Sequence, residues 1–137
     1  MDLLHLQNKN ILQLSGGEQR RAAIACLLAQ TPSIYLLDEP INHLDITHQH
    51  QLLQHLQYLA TNQAAIVMSL HDLNIAEKYC THLILLSAEG LVAGSKQDVM
   101  TANALSNLYA HPLQRLSSNN LVYWQTKSAI IDATSTV

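Results

Sequence analysis

The sequence predicts an α/β fold built on a parallel sheet with flanking helices, and three observations carry that expectation. Short apolar runs of strand length alternate with amphipathic segments of helical period. The apolar run Ile34–Leu37 ends on two adjacent carboxylates, Asp38 and Glu39, followed by Pro40. No repeat or low-complexity tract interrupts the alternation. A chain of 137 residues, 48% of them hydrophobic, suits one domain or a piece of one.

Each element follows from its own signals. Ala23, Ile24, Leu27 and Leu28 recur at helical spacing between Ser15-Gly16-Gly17 and Thr31-Pro32, which predicts a helix over residues 16–30. Ile34–Leu37 reads as a buried strand, and Pro40 forces Glu39 out of helical geometry. Asp45 caps a helix over residues 46–60, with Leu52, Leu53, Leu56, Leu59 and Ala60 on its buried side. A strand follows over residues 64–70, then a short helix capped by Asp72 and reaching Cys80. His82–Ser87 is strand-like, and Glu89-Gly90 turns the chain into residues 91–93. Two short helices and a terminal strand near residues 121–125 complete the reading, with a tail from Ser128 expected to fray.

Composition narrows the function. Ten acidic against seven basic residues give a net charge of -3, with no basic cluster longer than Arg20-Arg21, so nucleic acid is not the expected partner. The longest apolar runs, residues 64–68 and 83–86, fall well short of the ~20 residues a membrane helix needs. No direct membrane insertion is expected, and any membrane role is peripheral, through a partner. The chain opens without a basic segment ahead of an apolar one, and Cys26 and Cys80 lack paired spacing. Both features point to a reducing cytosol, with the thiols as core residues.

Three segments carry chemistry. Leu14-Ser15-Gly16-Gly17-Glu18-Gln19-Arg20-Arg21 is a glycine-rich turn opening into a helix. Free N–H groups and a positive dipole end, approachable through glycine, make phosphate the physical expectation, against the plainer alternative of an ordinary serine cap. Arg20 and Arg21 oppose the helix dipole in that first turn, which calls for an anion or a carboxylate nearby. Asp38 and Glu39 close the buried strand at the sheet edge where α/β proteins bind ligands. Asp38 suits Mg²⁺ held through its water shell and Glu39 the orientation of an attacking water, the alternative being a solvated acidic pair. His71 ends the next strand in Ser69-Leu70-His71-Asp72 and is expected on the same edge, able to bond a phosphate or that water.

Taken in this order, the residues resemble the ABC transporter ATPase family. Leu14-Ser15-Gly16-Gly17-Glu18 is similar to the ABC signature, with Glu18 where glutamine is more usual, and Leu36-Leu37-Asp38-Glu39 to the Walker B segment. Asn42-His43-Leu44-Asp45 looks like the D-loop and His71 like the switch histidine that senses the terminal phosphate. The resemblance runs over roughly residues 14–110. Within the family the chain looks most like importers of vitamin B12, iron-siderophores or haem, with the vitamin B12 importer ATPase the nearest expectation.

The resemblance implies a partial P-loop NTPase (RecA-like) fold lacking the N-terminal half of the ABC domain. Residues 1–30 are then the end of the helical subdomain with the signature helix, 31–110 the catalytic core and 111–137 a C-terminal extension. It implies ATP and Mg²⁺ as cofactors, with Glu39 and His71 catalytic, Asp38 on the metal, and Ser15, Gly16, Gly17, Glu18 and Asp45 on the nucleotide. Its implied partners are a second ABC ATPase subunit and membrane-spanning permease subunits, at a cytoplasmic site peripheral to the inner membrane face. The implied activity couples ATP hydrolysis to uptake of a metal-chelate cofactor.

One family element does not occur in the sequence. The phosphate-cradling G-x-x-x-x-G-K-[ST] is absent, since Lys9, Lys78, Lys96 and Lys127 are the only lysines and none follows a glycine. The isolated chain is therefore expected to be inactive and to act only in trans. By the same resemblance the strand between those at residues 64–70 and 82–86 is lost, which is expected to leave strand edges unpaired and the chain prone to aggregate.

Two other classes compete. A non-enzymatic remnant is one. A ribosome-associated ABC translation factor is the other, sharing Asn42-His43-Leu44-Asp45 but not continuing as Asp72-Leu73-Asn74-Ile75-Ala76 does here. His48 and His55 lie about 10 Å apart along one helix, at ~1.5 Å per residue, too far to share an ion, so a solvated helix face is expected. Tyr123-Trp124 is expected to cap the core rather than meet a partner.

Overall fold

Residues 3–88, 90–119 and 121–127 are described by the computed structural model of the chain, which divides between His71 and Asp72 into two units. In the first unit, 3-10 turns at Leu4–Leu6 and Ile11–Gln13 lead into helix α1 (Gly16–Ala29). Ser15 starts α1 through a capping box: its hydroxyl accepts from the Glu18 amide, and the Glu18 carboxylate accepts from the Ser15 amide at 2.7 Å. Strand β1 (Ile34–Leu37), helix α2 (Ile46–Thr61) and strand β2 (Ala65–Met68) then form a β-α-β unit. The two strands run parallel, with Ile34 opposite Ala65 and Leu37 opposite Met68.

Sequence pattern explains that unit. The Asp45 side chain accepts from the His48 amide and so caps α2, which buries Leu52, Leu53 and Leu56. Each leucine so buried contributes about 1.5–3 kcal/mol relative to an exposed one. Alternation on β1 puts Tyr35 on the covered face, 1% exposed, and Ile34 and Leu36 on the other. That other face, continued by Val67 on β2, is open to solvent.

The second unit holds helix α3 (Leu73–Tyr79), strands β3 (His82–Ser87) and β4 (Gly90–Ser95), helices α4 (Lys96–Val99) and α5 (Ala102–Leu108), and strands β5 (Leu113–Ser118) and β6 (Leu121–Thr126). Its core is Ala76, Val99, Met100, Leu105, Leu113 and Trp124. Glu77 is the buried acid among them. Its carboxylate accepts from the Trp124 indole at 3.0 Å and the Arg115 guanidinium at 3.1 Å, with the Lys96 ammonium 3.9 Å away. Burial pushes the Glu77 carboxyl up, but these two hydrogen bonds and the two cations outweigh it and leave the group below the ordinary glutamate value. Asn74 ties the same region together, accepting from the Trp124 amide at 2.6 Å and donating to its carbonyl at 3.3 Å.

The structure departs from the sequence reading in several places. Only β1 and β2 are parallel; β3 with β4 and β5 with β6 are antiparallel ladders. The links between their partners are two residues long, far too short for the crossover a parallel pair needs. Strand β5 was not anticipated. Strand β2 is shorter than residues 64–70 because its ladder ends where the Ser69 amide donates to the Leu37 carbonyl at 3.0 Å. Cys26 is exposed and Cys80 half-buried, so Cys26 is not a core residue, and Ala23 and Ala60 also face solvent. The turn residue Glu89 and the tail from Ser128 lie outside the described residues. Among the described residues β2 pairs only with β1, β3 only with β4, and no helix is long and apolar enough to cross a membrane.

Trp124→Phe removes the indole donor while keeping the ring. Chemical denaturation is expected to show a loss of about 1–3 kcal/mol, the cost of an unsatisfied buried acceptor. Because the folded Glu77 value is depressed, its carboxylate stabilises the fold above the ordinary glutamate range. That stability drains as pH falls from that range through the folded value, and Glu77→Gln should flatten the acid limb of a stability-against-pH curve.

Candidate functional site

Parallel pairing brings the ends of β1 and β2 side by side, and the candidate site grows from there. Asp38 and Glu39 leave β1 as Ser69 and His71 leave β2. The Ser69 hydroxyl donates to Asp38 Oδ1 at 2.6 Å and accepts from the Glu39 amide at 2.8 Å. His71 Nε2 and Glu39 Oε1 share a hydrogen bond of 2.5 Å. The Asn42 amide group donates to the other Glu39 oxygen, Oε2. Asp38, Glu39 and His71 thus meet at one end of the sheet, with Glu39 at their centre.

The start of α1 reaches the same place. The Arg20 guanidinium donates to the Asp38 carbonyl at 2.6 Å and to the Glu39 carbonyl at 3.0 Å. The charge that opposed the helix dipole therefore points off the helix, onto the end of β1. Glu18 offers the compensating carboxylate within the turn, held below its ordinary value first by the Ser15 amide and then by the Ser15 hydroxyl. A Cβ added to Gly16 would meet nothing within 4 Å, and one added to Gly17 would sit 3.5 Å from the His43 carbonyl, an ordinary contact. Neither glycine is demanded by packing. The open space beside Gly16 is compatible with an anion approaching the helix start.

The remaining predicted residues are placed less centrally. Asp45 is taken up by its own helix, with Oδ1 accepting the His48 amide at 2.9 Å and Oδ2 lying 2.7 Å from His48 Nδ1. Those contacts, the backbone one first, hold its carboxyl below the ordinary aspartate value. Ser15 and Glu18 are engaged with each other in the capping box. As for Mg²⁺, Asp38 Oδ2 accepts no hydrogen bond among the described residues, and no cluster of three or more metal-binding side chains occurs among them. An ion that keeps several waters and takes one or two carboxylates fits Asp38.

Sequence reasoning missed Ser69, Asn42 and Arg20 as participants. Ser69 carried no signal beyond standing two residues before His71. Asn42 lies inside the segment that carries Asp45, and Arg20 shows in the sequence only as a charge in need of a partner.

Comparison with known proteins bears on this geometry. A family model described as ABC transporter matches residues 1–42, which include the glycine-rich helix start and the Asp38-Glu39 strand end. The chain is 39% identical over 116 residues to the hemin import ATP-binding protein HmuV of Photobacterium damselae subsp. damselae, a match covering 80% of this chain and 44% of that protein. It is 41% identical over 109 residues to the ferric enterobactin transport ATP-binding protein FepC of Escherichia coli (strain K12), covering 78% of this chain and 40% of that one. The chain thus spans less than half the length of these curated relatives. Among solved structures, an inward-facing ABC transporter described as of metal-chelate type superposes with a TM-score of 0.75 at 24% identity, over 90% of this chain and 51% of that one. At that identity the likeness speaks for the fold alone.

If the glycines serve a ligand rather than the fold, replacing them should leave the fold intact. Gly16→Ala is expected to keep or raise stability, by up to about 0.4–1 kcal/mol from reduced unfolded-chain entropy, read as an equal or higher midpoint in thermal denaturation.

Proposed function

We propose, for a chain that is part of an ABC transporter ATPase domain, that it supplies the hydrolytic carboxylate and the signature face of a composite ATP site completed by other polypeptide. The observation that carries this reading is the arrangement around Glu39, whose two carboxylate oxygens are held by His71 and Asn42 beside Asp38 at one sheet end.

Each residue then has a task that its contacts allow. Glu39 orients the attacking water and takes its proton. The His71 contact occupies Glu39 Oε1 in the described state, so a terminal phosphate drawing the exposed His71 ring away frees that oxygen for the water. Asp38 would hold Mg²⁺ through Oδ2 and water, the ion supplying charge neutralisation to the phosphates. The Gly16 and Gly17 amides and Ser15 would meet the phosphates of a nucleotide held by a second ABC ATPase subunit, where such donors contribute a few kcal/mol each in a dry site. Asp45 and Glu18 act at one remove, shaping the starts of α2 and α1. The division into residues 1–30, 31–110 and 111–137 belongs to the same reading.

The transported substrate is proposed as a metal chelate, since the relatives quoted are named for hemin and ferric enterobactin; vitamin B12 falls in that chemical class. Membrane-spanning permease subunits at the inner membrane face are the corresponding partners. A second reading, a remnant without activity, is favoured by one observation: the sequence contains no phosphate-cradling G-x-x-x-x-G-K-[ST].

An ATPase assay decides between them. The purified chain alone is expected to show no Mg-ATP turnover. Co-expression with the phosphate-loop portion of a hemin import ATP-binding protein is expected to give turnover that falls about 10²-fold or more in Glu39→Gln. Turnover by the chain alone, or restored turnover indifferent to Glu39→Gln, would overturn the assignment, and failure of any complement to restore activity would favour the remnant.

A further inference from the structure

Glu39 adopts a left-handed backbone, φ 43°, directly before Pro40. For a residue with a Cβ that conformation costs about 1–3 kcal/mol and persists only where the surroundings impose it. The surroundings here are two side chains from distant parts of the chain. Ser69 accepts from the Glu39 N–H at 2.8 Å on one side of the residue, and Arg20 donates to the Glu39 carbonyl at 3.0 Å on the other. Each also grips Asp38, Ser69 through its carboxylate and Arg20 through its carbonyl.

We propose that Ser69 and Arg20 are positioning residues that together hold the Glu39 peptide in its left-handed conformation and thereby aim its carboxylate at His71. The inference rests on the assignment of Glu39 to water activation. It has a consequence for coupling. Arg20 lies one helical turn beyond Gly16, so any shift of the α1 start as it meets a phosphate is carried by the guanidinium to the backbone of the hydrolytic residue. Engagement at the signature end and alignment of the carboxylate in the same chain become one event. Arg21, the neighbouring arginine, makes no such bridge; its Nε is buried without a hydrogen-bond partner among the described residues.

Residue-resolved hydrogen exchange and His71 ring ¹⁵N signals on the full chain test the clamp. The wild type would be compared with Ser69→Ala, Ser69→Thr, Arg20→Ala and Arg20→Lys. Ser69→Ala should speed Glu39 amide exchange about tenfold, the loss of one net hydrogen bond, and shift the His71 ring signal. The Tyr35 and Leu53 amides should stay as slow as before. Ser69→Thr should restore both readouts, and Arg20→Ala should move the His71 signal in the same direction, with Arg20→Lys partway back. Uniform acceleration across the core, an unchanged His71 signal in a folded variant, or unfolding of all four variants would overturn the clamp and leave a purely structural tie. Titration with Mn²⁺ separates the underlying reading: if the ion broadens no signal at Asp38 or Glu39 while the exchange pattern holds, the assignment of this sheet end to metal-assisted water activation by Glu39 fails and the clamp stands.

Discussion

The parallel register of β1 against β2 is the constraint on which the candidate site depends. Its last rung, the Ser69 amide donating to the Leu37 carbonyl, sets Asp38 and Glu39 beside Ser69 and His71. A slip of one residue would turn Tyr35 to solvent and Leu36 inward, inverting both faces, so burial of Tyr35 and the α2 leucines selects this register over its neighbours. Asp45 at the start of α2 and the buried Ile41 and Leu44 fix where the crossover helix begins, and hence how far it carries the chain before β2. Packing below the sheet end thus determines chemistry at it.

The two long helices of the first unit are entered in the same way. Gln19 donates from Nε2 to the Ile11 and Leu14 carbonyls at 3.1 and 3.0 Å, and Gln49 does so to the Ile41 and Leu44 carbonyls at the same distances. In each case the amide stands four residues past the cap, Ser15 or Asp45, and satisfies carbonyls of the approaching turn. The two entrances also lie near each other, since a Cβ added to Gly17 would sit 3.5 Å from the His43 carbonyl. One entrance leaves open space beside Gly16, the other leads on from the Glu39 strand end. Arg20 spans the two, reaching from the start of α1 to the Asp38 and Glu39 carbonyls at the end of β1.

How much of this the sequence disclosed depends on whether a feature is local. The caps at Ser15, Asp45 and Asp72, the helices behind them and the strands at Ile34–Leu37 and His82–Ser87 follow from short-range pattern, and they appear where the pattern puts them. Strand β5 does not, because Leu113-Gln114-Arg115-Leu116-Ser117-Ser118 has little apolar alternation and owes its extended form to β6 across the ladder. The Asn119 turn residue, φ 47°, was the available hint of a hairpin. In the site, chain order was enough to anticipate Asp38, Glu39 and His71 together, whereas Asp45, expected with them, is engaged with His48 at the start of α2. Ser69 and Arg20 were not legible, because their roles depend on bonds to atoms 30, 31, 18 and 19 residues away. Arg20 came nearest, flagged by its conflict with the helix dipole.

The first unit lacks the same thing twice. A parallel sheet is stable when both faces are covered, yet Ile34, Leu36 and Val67 lie 60, 75 and 52% exposed on the face away from the α2 leucines, and the sheet stops at two strands among the described residues. Under the proposed function its candidate site likewise has the carboxylates and the histidine for cleaving a phosphate, while the given sequence contains no G-x-x-x-x-G-K-[ST] to cradle one. In P-loop proteins a strand leads directly into the cradle and a helix leads out of it, so a single strand-loop-helix segment would extend the sheet, cover an apolar face and present the phosphates to Glu39. Under the proposed function, then, the exposed apolar face and the incomplete chemistry are not separate defects. Both are met by one polypeptide segment, which would complete the fold and the activity together.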